Sequence, residues 1–280
     1  MLPLRTLLIG LLGFFIAPCS RAQLVLVAYD GFDYATGAVD GQNGGSGWSG
    51  AWDWEYTSGS SLTVSASGLS YSGLDTTDGS VTWASGGNGI SQASRSLALV
   101  DSGVVYLQFL GQFGSSSGGG TPNIRLYAGN ALTGGFGANG GDYGGVVSIL
   151  DTNLNPASDG SSSSSASLSA LNLVVARIDY TNNETRLWTN PNLSTFDYLN
   201  PSAADATYAG LAPAFDKIAI YTRYPGTVDE IGVYTAIPEP AHTTTAIAML
   251  ALLGLGAIRL RQARRQAAHR TPNAASITGC

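Results

Sequence analysis

The stretch Leu173-Val174-Val175-Ala176-Arg177-Ile178-Asp179-Tyr180 puts Val174, Ala176, Ile178 and Tyr180 on one parity and Arg177 and Asp179 on the other. Successive side chains of a strand point to opposite sides, so a period of two marks a β-strand with one face on a core. Val105, Leu107, Phe109 and Phe113 repeat the pattern against Gln108 and Gln112, and Ile218 with Ile220 and Ile231 with Val233 extend it. Further short runs fall at 24–29, 62–72, 81–84, 92–99, 123–128, 144–150 and 184–189. No segment from Leu24 to Ala236 sustains a 3.6-residue apolar period, so the reading is all-β. Roughly a dozen short strands in one domain predict a two-sheet jelly-roll sandwich over 24–236. Gly- and Ser-rich stretches at 41–50, 114–120, 134–145 and 157–167 are expected as loops, with Ser161–Ser165 a flexible surface excursion.

The charge is divided unevenly. Of 13 Lys plus Arg and 19 Asp plus Glu, six bases and eighteen acids lie between Leu24 and Ala236, a balance of −12. Such a segment does not hold a phosphate backbone, whose binding draws on Lys and Arg, so nucleic acid is excluded as a partner. Cys19 and Cys280 are the two cysteines, and His242 and His269 the two histidines; all four lie outside that segment. This excludes a disulfide scaffold, a Cys- or His-ligated zinc site, a cysteine nucleophile and a Ser-His-Asp triad in the domain.

The two ends read differently from the middle. Residues 1–23 have the form of a secretory signal: Arg5, an apolar run from Leu7 to Ala17, and the small-x-small site Ser20-Arg21-Ala22. At the other end Ile237-Pro238-Glu239-Pro240 precedes an uncharged stretch and then Arg259, Arg261, Arg264 and Arg265. A transmembrane helix is expected at about 241–258, with the arginines holding its far end in the cytoplasm and the β domain outside. A polar tail, 266–280, follows.

This three-part order resembles the PEP-CTERM sorting signal over 237–265, with Pro238, Glu239 and Pro240 as the sorting motif. The resemblance implies export across the inner membrane, transient anchoring there, and processing by an exosortase that delivers the protein to the cell surface or extracellular matrix. The tail after the arginines departs from the usual form of that signal.

The domain itself resembles the concanavalin A-like, or LamG-like, jelly rolls. The resemblance is carried by Tyr29-Asp30-Gly31-Phe32-Asp33-Tyr34 with Gly41-Gln42-Asn43-Gly44-Gly45-Ser46-Gly47-Trp48, by the 173–180 stretch with Arg186-Leu187-Trp188-Thr189-Asn190-Pro191, and by Val228-Asp229-Glu230-Ile231-Gly232-Val233. It implies that the first and last strands are neighbours, so that Asp30, Asp33 and Asp229 can approach one another. Asp229 shares parity with Ile231 and Val233 and is expected on the core side. Two readings of it stand: a structural Ca²⁺ held with Asp30 or Asp33, or a carboxylate capping the N–H groups of a neighbouring loop.

Retaining glycanases of that superfamily carry paired carboxylates on one strand face, about 5 Å apart. The only glutamates in the domain are Glu55, Glu184 and Glu230, and the adjacent Asp229 and Glu230 are expected on opposite sides of a strand. No catalytic residue is assigned, and the domain is expected not to be an enzyme. Trp52 and Trp54 are a candidate platform for a glycan; the competing reading is that the tryptophans pack. The leading expectation is a structural or adhesive surface domain. The alternative is a module that binds extracellular polysaccharide, and a glycoside hydrolase comes third.

Overall fold

The computed structural model describes residues 23–57, 61–83, 90–114, 122–138, 145–158 and 160–237. The signal segment, Pro238, Glu239, Pro240, the helix expected at 241–258, the arginine cluster and the tail lie outside them. Among the described residues there are sixteen strands and no helix. In chain order these are β1 (Gln23–Asp30), β2 (Gly37–Ala38), β3 (Asp53–Thr57), β4 (Thr63–Ser65), β5 (Ser80–Trp83), β6 (Ser91–Val100), β7 (Val104–Phe113) and β8 (Asn123–Ala128). They continue with β9 (Ala131–Gly137), β10 (Val146–Leu150), β11 (Ser163–Ser167), β12 (Asn172–Asp179), β13 (Glu184–Thr189), β14 (Ala206–Ala209), β15 (Phe215–Thr222) and β16 (Gly226–Ile237).

These strands form two antiparallel sheets, a sandwich of the jelly-roll kind. One runs β14-β13-β12-β7-β16-β5-β4-β2, with β1 also on β16; the other runs β11-β10-β9-β8-β15-β6-β3. The apolar parities face one another between the sheets. Val105, Leu107, Phe109, Phe113, Val174, Ala176, Ile178, Ile231 and Val233 from the first sheet meet Ala93, Leu97, Ile124, Leu126, Phe136, Ile218 and Ile220 from the second. Each fully buried aliphatic or aromatic side chain contributes about 1.5–3 kcal/mol through its removal from water.

The first sheet is buried on its outer side too. Tyr106 and Leu110, on the polar parity of β7, pack with Leu173, Val175 and Trp188 beneath Leu69, Tyr71, Leu193, Phe196 and Tyr198. This second cluster explains why β7 and β12 are apolar on both parities near their centres.

Two expected loops are strands. The serines at 163–167 form an edge strand paired with β10, where Ser148 Oγ and Ser163 Oγ lie 2.9 Å apart and Ser162 Oγ accepts the Ala157 N–H at 2.6 Å. Serine is tolerated there because a polar edge discourages further strand pairing. Gly134–Gly137 belong to β9, where side chains have no room: a Cβ on Gly135 would sit 2.6 Å from the Ile124 carbonyl oxygen. In the other direction, the expected strand at 62–72 shrinks to Thr63–Ser65, and the chain beyond it crosses the outer side of the first sheet.

β16 organises the region where the chain's first strand meets its last. β7 runs along one edge; β5 and then β1 share the other, β5 at Gly226–Val228 and β1 at Ile231–Ile237. Between them the register with β7 slips from Asp229 to Gly232, and Glu230 takes φ +55°, a left-handed backbone that costs a non-glycine residue about 1–3 kcal/mol.

Candidate functional site

Asp30 ends β1 and is wholly buried. Its Oδ2 accepts from Arg95 Nη1 at 2.5 Å, Tyr34 Oη at 2.7 Å and Trp52 Nε1 at 2.8 Å, and its Oδ1 accepts the Phe32 N–H at 3.0 Å. Arg95 comes from β6 in the opposite sheet, so the ion pair crosses the sandwich with both side chains 1% exposed. Its other donors bind the Gly50 carbonyl and Asn43 Oδ1, and its guanidinium lies 5.2 Å from the Trp48 ring. The 29–34 and 41–48 motifs therefore form one structural lock.

That geometry corrects two expectations. Trp52 is 1% exposed and bonded to Asp30, with its ring 5.6 Å from Phe32 and 6.2 Å from Trp48, so Trp52 and Trp54 do not form an exposed platform. Trp54 is half-buried on β3. Nor are Asp30, Asp33 and Asp229 gathered as calcium ligands: Asp30 is engaged with Arg95, Asp33 is exposed, and among the described residues no three acidic, His or Cys side chains converge as a metal site.

Asp229 faces away from the core. It pairs with Leu110, and directly opposed residues share a face, so its side chain joins the outer cluster. The slip after Asp229 restores the core parity only at Ile231, which is why simple alternation misplaces it. Its oxygens accept the Leu69 and Glu230 N–H groups, both at 2.8 Å, the loop-capping arrangement. Burial pushes its pKa up to about 8, helped by Glu230 and Asp30 and opposed by those two N–H bonds. Glu230, also buried, accepts from Tyr29 Oη at 2.5 Å and from the Thr77 N–H at 2.6 Å. Both acids thus reach the same covering segment, 66–79, and are not held on opposite sides.

The outer face of the second sheet is different in character. Core parity takes Ile124 and Leu126 from β8 and Ile218 and Ile220 from β15, which leaves Asn123, Arg125, Tyr127, Lys217 and Tyr221 on the outside. Gln92 and Ser94 of β6 oppose Tyr221 and Ala219 in the same ladder. The Arg125 guanidinium stacks 3.3 Å from the centre of the Tyr221 ring, and Lys217 Nζ lies 5.0 Å from that of Tyr127. Glu55 on β3 ties the far side together, accepting from Gln92 and Ser94 at 2.5 Å each and from Lys217 at 2.9 Å. Burial raises the Glu55 pKa, but these donors outweigh it and hold the carboxyl below its ordinary value.

On the β9 side the neighbours of Asn123 and Arg125 are Gly137 and Gly135, so no side chain rises beside them. Asn123 is fully buried; its Oδ1 accepts from Arg125 Nε at 2.9 Å, while its Nδ2 has no hydrogen-bond partner. This face is the candidate site. The tryptophan-directed sequence reading missed it, yet the signal exists: Asn123, Arg125 and Tyr127, and Lys217 and Tyr221, are the polar parity of two strands whose other parity is isoleucine and leucine.

No family model matches the chain, and no curated protein does. Among solved structures it is similar to a β-glucanase catalytic domain from Podospora anserina, at 12% identity and TM-score 0.41, covering 76% of this chain and 97% of that one. It is similar to a legume lectin-like domain from Entamoeba histolytica, at 13% identity and TM-score 0.39 over 67% and 90% of the two chains. A Bacillus licheniformis β-glucanase follows at 9% identity and TM-score 0.37, over 78% and 100%. Likeness at these levels transfers no substrate or activity. The expectation that the domain is not an enzyme is withdrawn: glucanases stand beside a lectin domain among these structures, and likeness at this level decides neither for nor against an activity. Asp229 and Glu230, expected on separate sides of the strand, both meet the 66–79 segment.

Proposed function

We propose that this is an exported surface or matrix protein whose sandwich binds extracellular polysaccharide through the outer face of its second sheet. The carrying observation is the Arg125–Tyr221 stack set among Asn123, Gln92, Ser94 and Tyr127. Tyrosine rings offer flat apolar area with a polar tip, and planar amides and hydroxyls supply directional hydrogen bonds, the combination a sugar ring with its hydroxyl fringe requires. That equipment favours binding over a purely structural or adhesive sandwich, for which a solvated sheet face needs neither stacked cations nor buried amides. Export and exosortase sorting rest on the 1–23 and 237–265 segments, and comparing cell fractions with and without the exosortase tests them.

Affinity electrophoresis through gels containing soluble polysaccharides tests the binding. The chain is retarded by at least one polymer, and Tyr221→Ala and Tyr127→Ala reduce the retardation while folding is kept. No retardation by any polymer, or retardation indifferent to both substitutions, overturns the reading. The same incubations, assayed for new reducing ends, report whether a bound glycan is also cleaved.

A further inference from the structure

We infer that the polysaccharide recognised by this face is acidic, and that Asn123 and Arg125 hold its anionic group. The inference rests on the binding reading above and specifies its substrate class. The domain has six basic residues, and two of them, Arg125 and Lys217, stand on this face, with Arg223 two residues beyond Tyr221. Lys217 is neutralised by Glu55. Arg125 forms no ion pair with an acid among the described residues: its Nε donates to Asn123 Oδ1 and its face covers Tyr221.

Beside it, Asn123 Nδ2 is buried and without a partner. Its orientation is fixed, because turning the amide would bring Nδ2 against Arg125 Nε, two donors face to face. A buried donor left unsatisfied costs about 1–3 kcal/mol. The other such atom among the described residues, Arg223 Nε, is also a donor and lies at the same end of β15. The groups lacking partners here are thus donors, and what satisfies donors is an acceptor. A sugar hydroxyl supplies one acceptor per contact, but a carboxylate or sulfate supplies several, with the planar or tripodal geometry that matches a guanidinium.

Of the acids of β3 beside this face, Glu55 is held by Lys217, Gln92 and Ser94, and Asp53 opposes Ser94. Neither is bonded to Arg125. Arg125 is therefore a local cation without a bonded acid in a domain whose balance is −12. In such a protein a long-range field repels polyanions, so recognition must come from close contacts and not from steering.

The test is titration calorimetry of the purified chain with three polymers: a polyuronate, a sulfated galactan and a neutral β-glucan. Binding to one acidic polymer at least tenfold tighter than to the neutral glucan is expected, and which acidic polymer it is separates carboxylate from sulfate. Asn123→Asp and Arg125→Gln each weaken that binding at least tenfold and leave the melting temperature of Arg125→Gln near the parent's. Arg125→Gln keeps the buried Asn123 in place and so carries the test if Asn123→Asp does not fold. Equal affinity for neutral and acidic polymers, or unchanged acidic binding by Arg125→Gln, overturns the inference while the binding reading stands. Binding to none of the three, with no retardation by other polymers, removes both.

Discussion

Replacing Asp30 by alanine removes the acceptor of four donors at once: Arg95 Nη1, Tyr34 Oη, Trp52 Nε1 and the Phe32 N–H. The guanidinium left behind is about 1% exposed and spans the two sheets, so its charge finds no water. Breaking a buried ion pair from one side costs about 3–5 kcal/mol. Stranding the Trp52 and Tyr34 donors adds to that, though not additively within one network. Against a total stability of about 5–15 kcal/mol, Asp30→Ala is expected to lose at least 3 kcal/mol, a large fraction of the whole. Urea unfolding followed by tryptophan fluorescence reads this directly, because Trp48 and Trp52 both sit in the network. The companion change Arg95→Met, combined with Asp30→Ala, is expected to recover part of the loss, since the double variant buries no unpaired charge. A loss below about 1 kcal/mol for Asp30→Ala, or strict additivity of the two changes, would refute the lock.

Other expectations follow from the same geometry. Asp229 is raised to about 8 in the folded chain against an ordinary 3.8, so the native state holds a proton that the unfolded state has already released. Its contribution to stability is intact below about pH 4 and declines as pH rises to about 8, with a limiting slope of about 1.4 kcal/mol per unit. Asp229→Asn flattens that decline in denaturant titrations; an unchanged profile rejects the assignment. Glu55 is held low, so its contribution is present above its ordinary pKa and is lost as pH falls through the folded value. The stability gap between parent and Glu55→Gln therefore closes in acid. Gly47→Ala places a Cβ 1.8 Å from the Val27 carbonyl oxygen at φ +78° and is expected to cost about 1–3 kcal/mol or more, measured by thermal melting. Trp52→Ala loses about 3–5 kcal/mol yet leaves polysaccharide affinity unchanged in the surviving folded fraction, whereas a platform role would abolish binding at little cost in stability.

The core was legible where alternation is regular. Val105, Leu107 and Phe109 with Val174 to Ile178 pair without a shift in the β7–β12 ladder, and Ile218 with Ile220 lie beyond the shift at Phe215–Lys217, so parity alone assigns their faces. It fails at Asp229 because the slip at Glu230 inserts a residue, and nothing in the letters Asp-Glu marks a left-handed backbone. It fails at 163–167 and 134–137 because an edge strand of serines and a glycine-rich strand form from cross-strand hydrogen bonds and close approach, not from apolar side chains. The site was legible in part: the polar parity of β8 and β15 is visible in the letters, but the missing partner of Asn123 and the stacking of Arg125 depend on how strands far apart in sequence pair. Residue type alone makes Trp52 and Trp54 candidates, because a flat aromatic face suits a sugar ring. Trp52 is spent on Asp30, and the rings on the outer face of the second sheet are those of Tyr127 and Tyr221.

Hydrogen exchange measured with and without a bound acidic polysaccharide tests the central claim most directly. Added polymer is expected to slow exchange in peptides covering β6, β8 and β15 and to leave the groove of about 510 Å³ around Trp188, Asn192, Phe196 and Asp205 unaffected. Protection confined to that groove, with β8 and β15 unchanged, would contradict the assignment of the binding face.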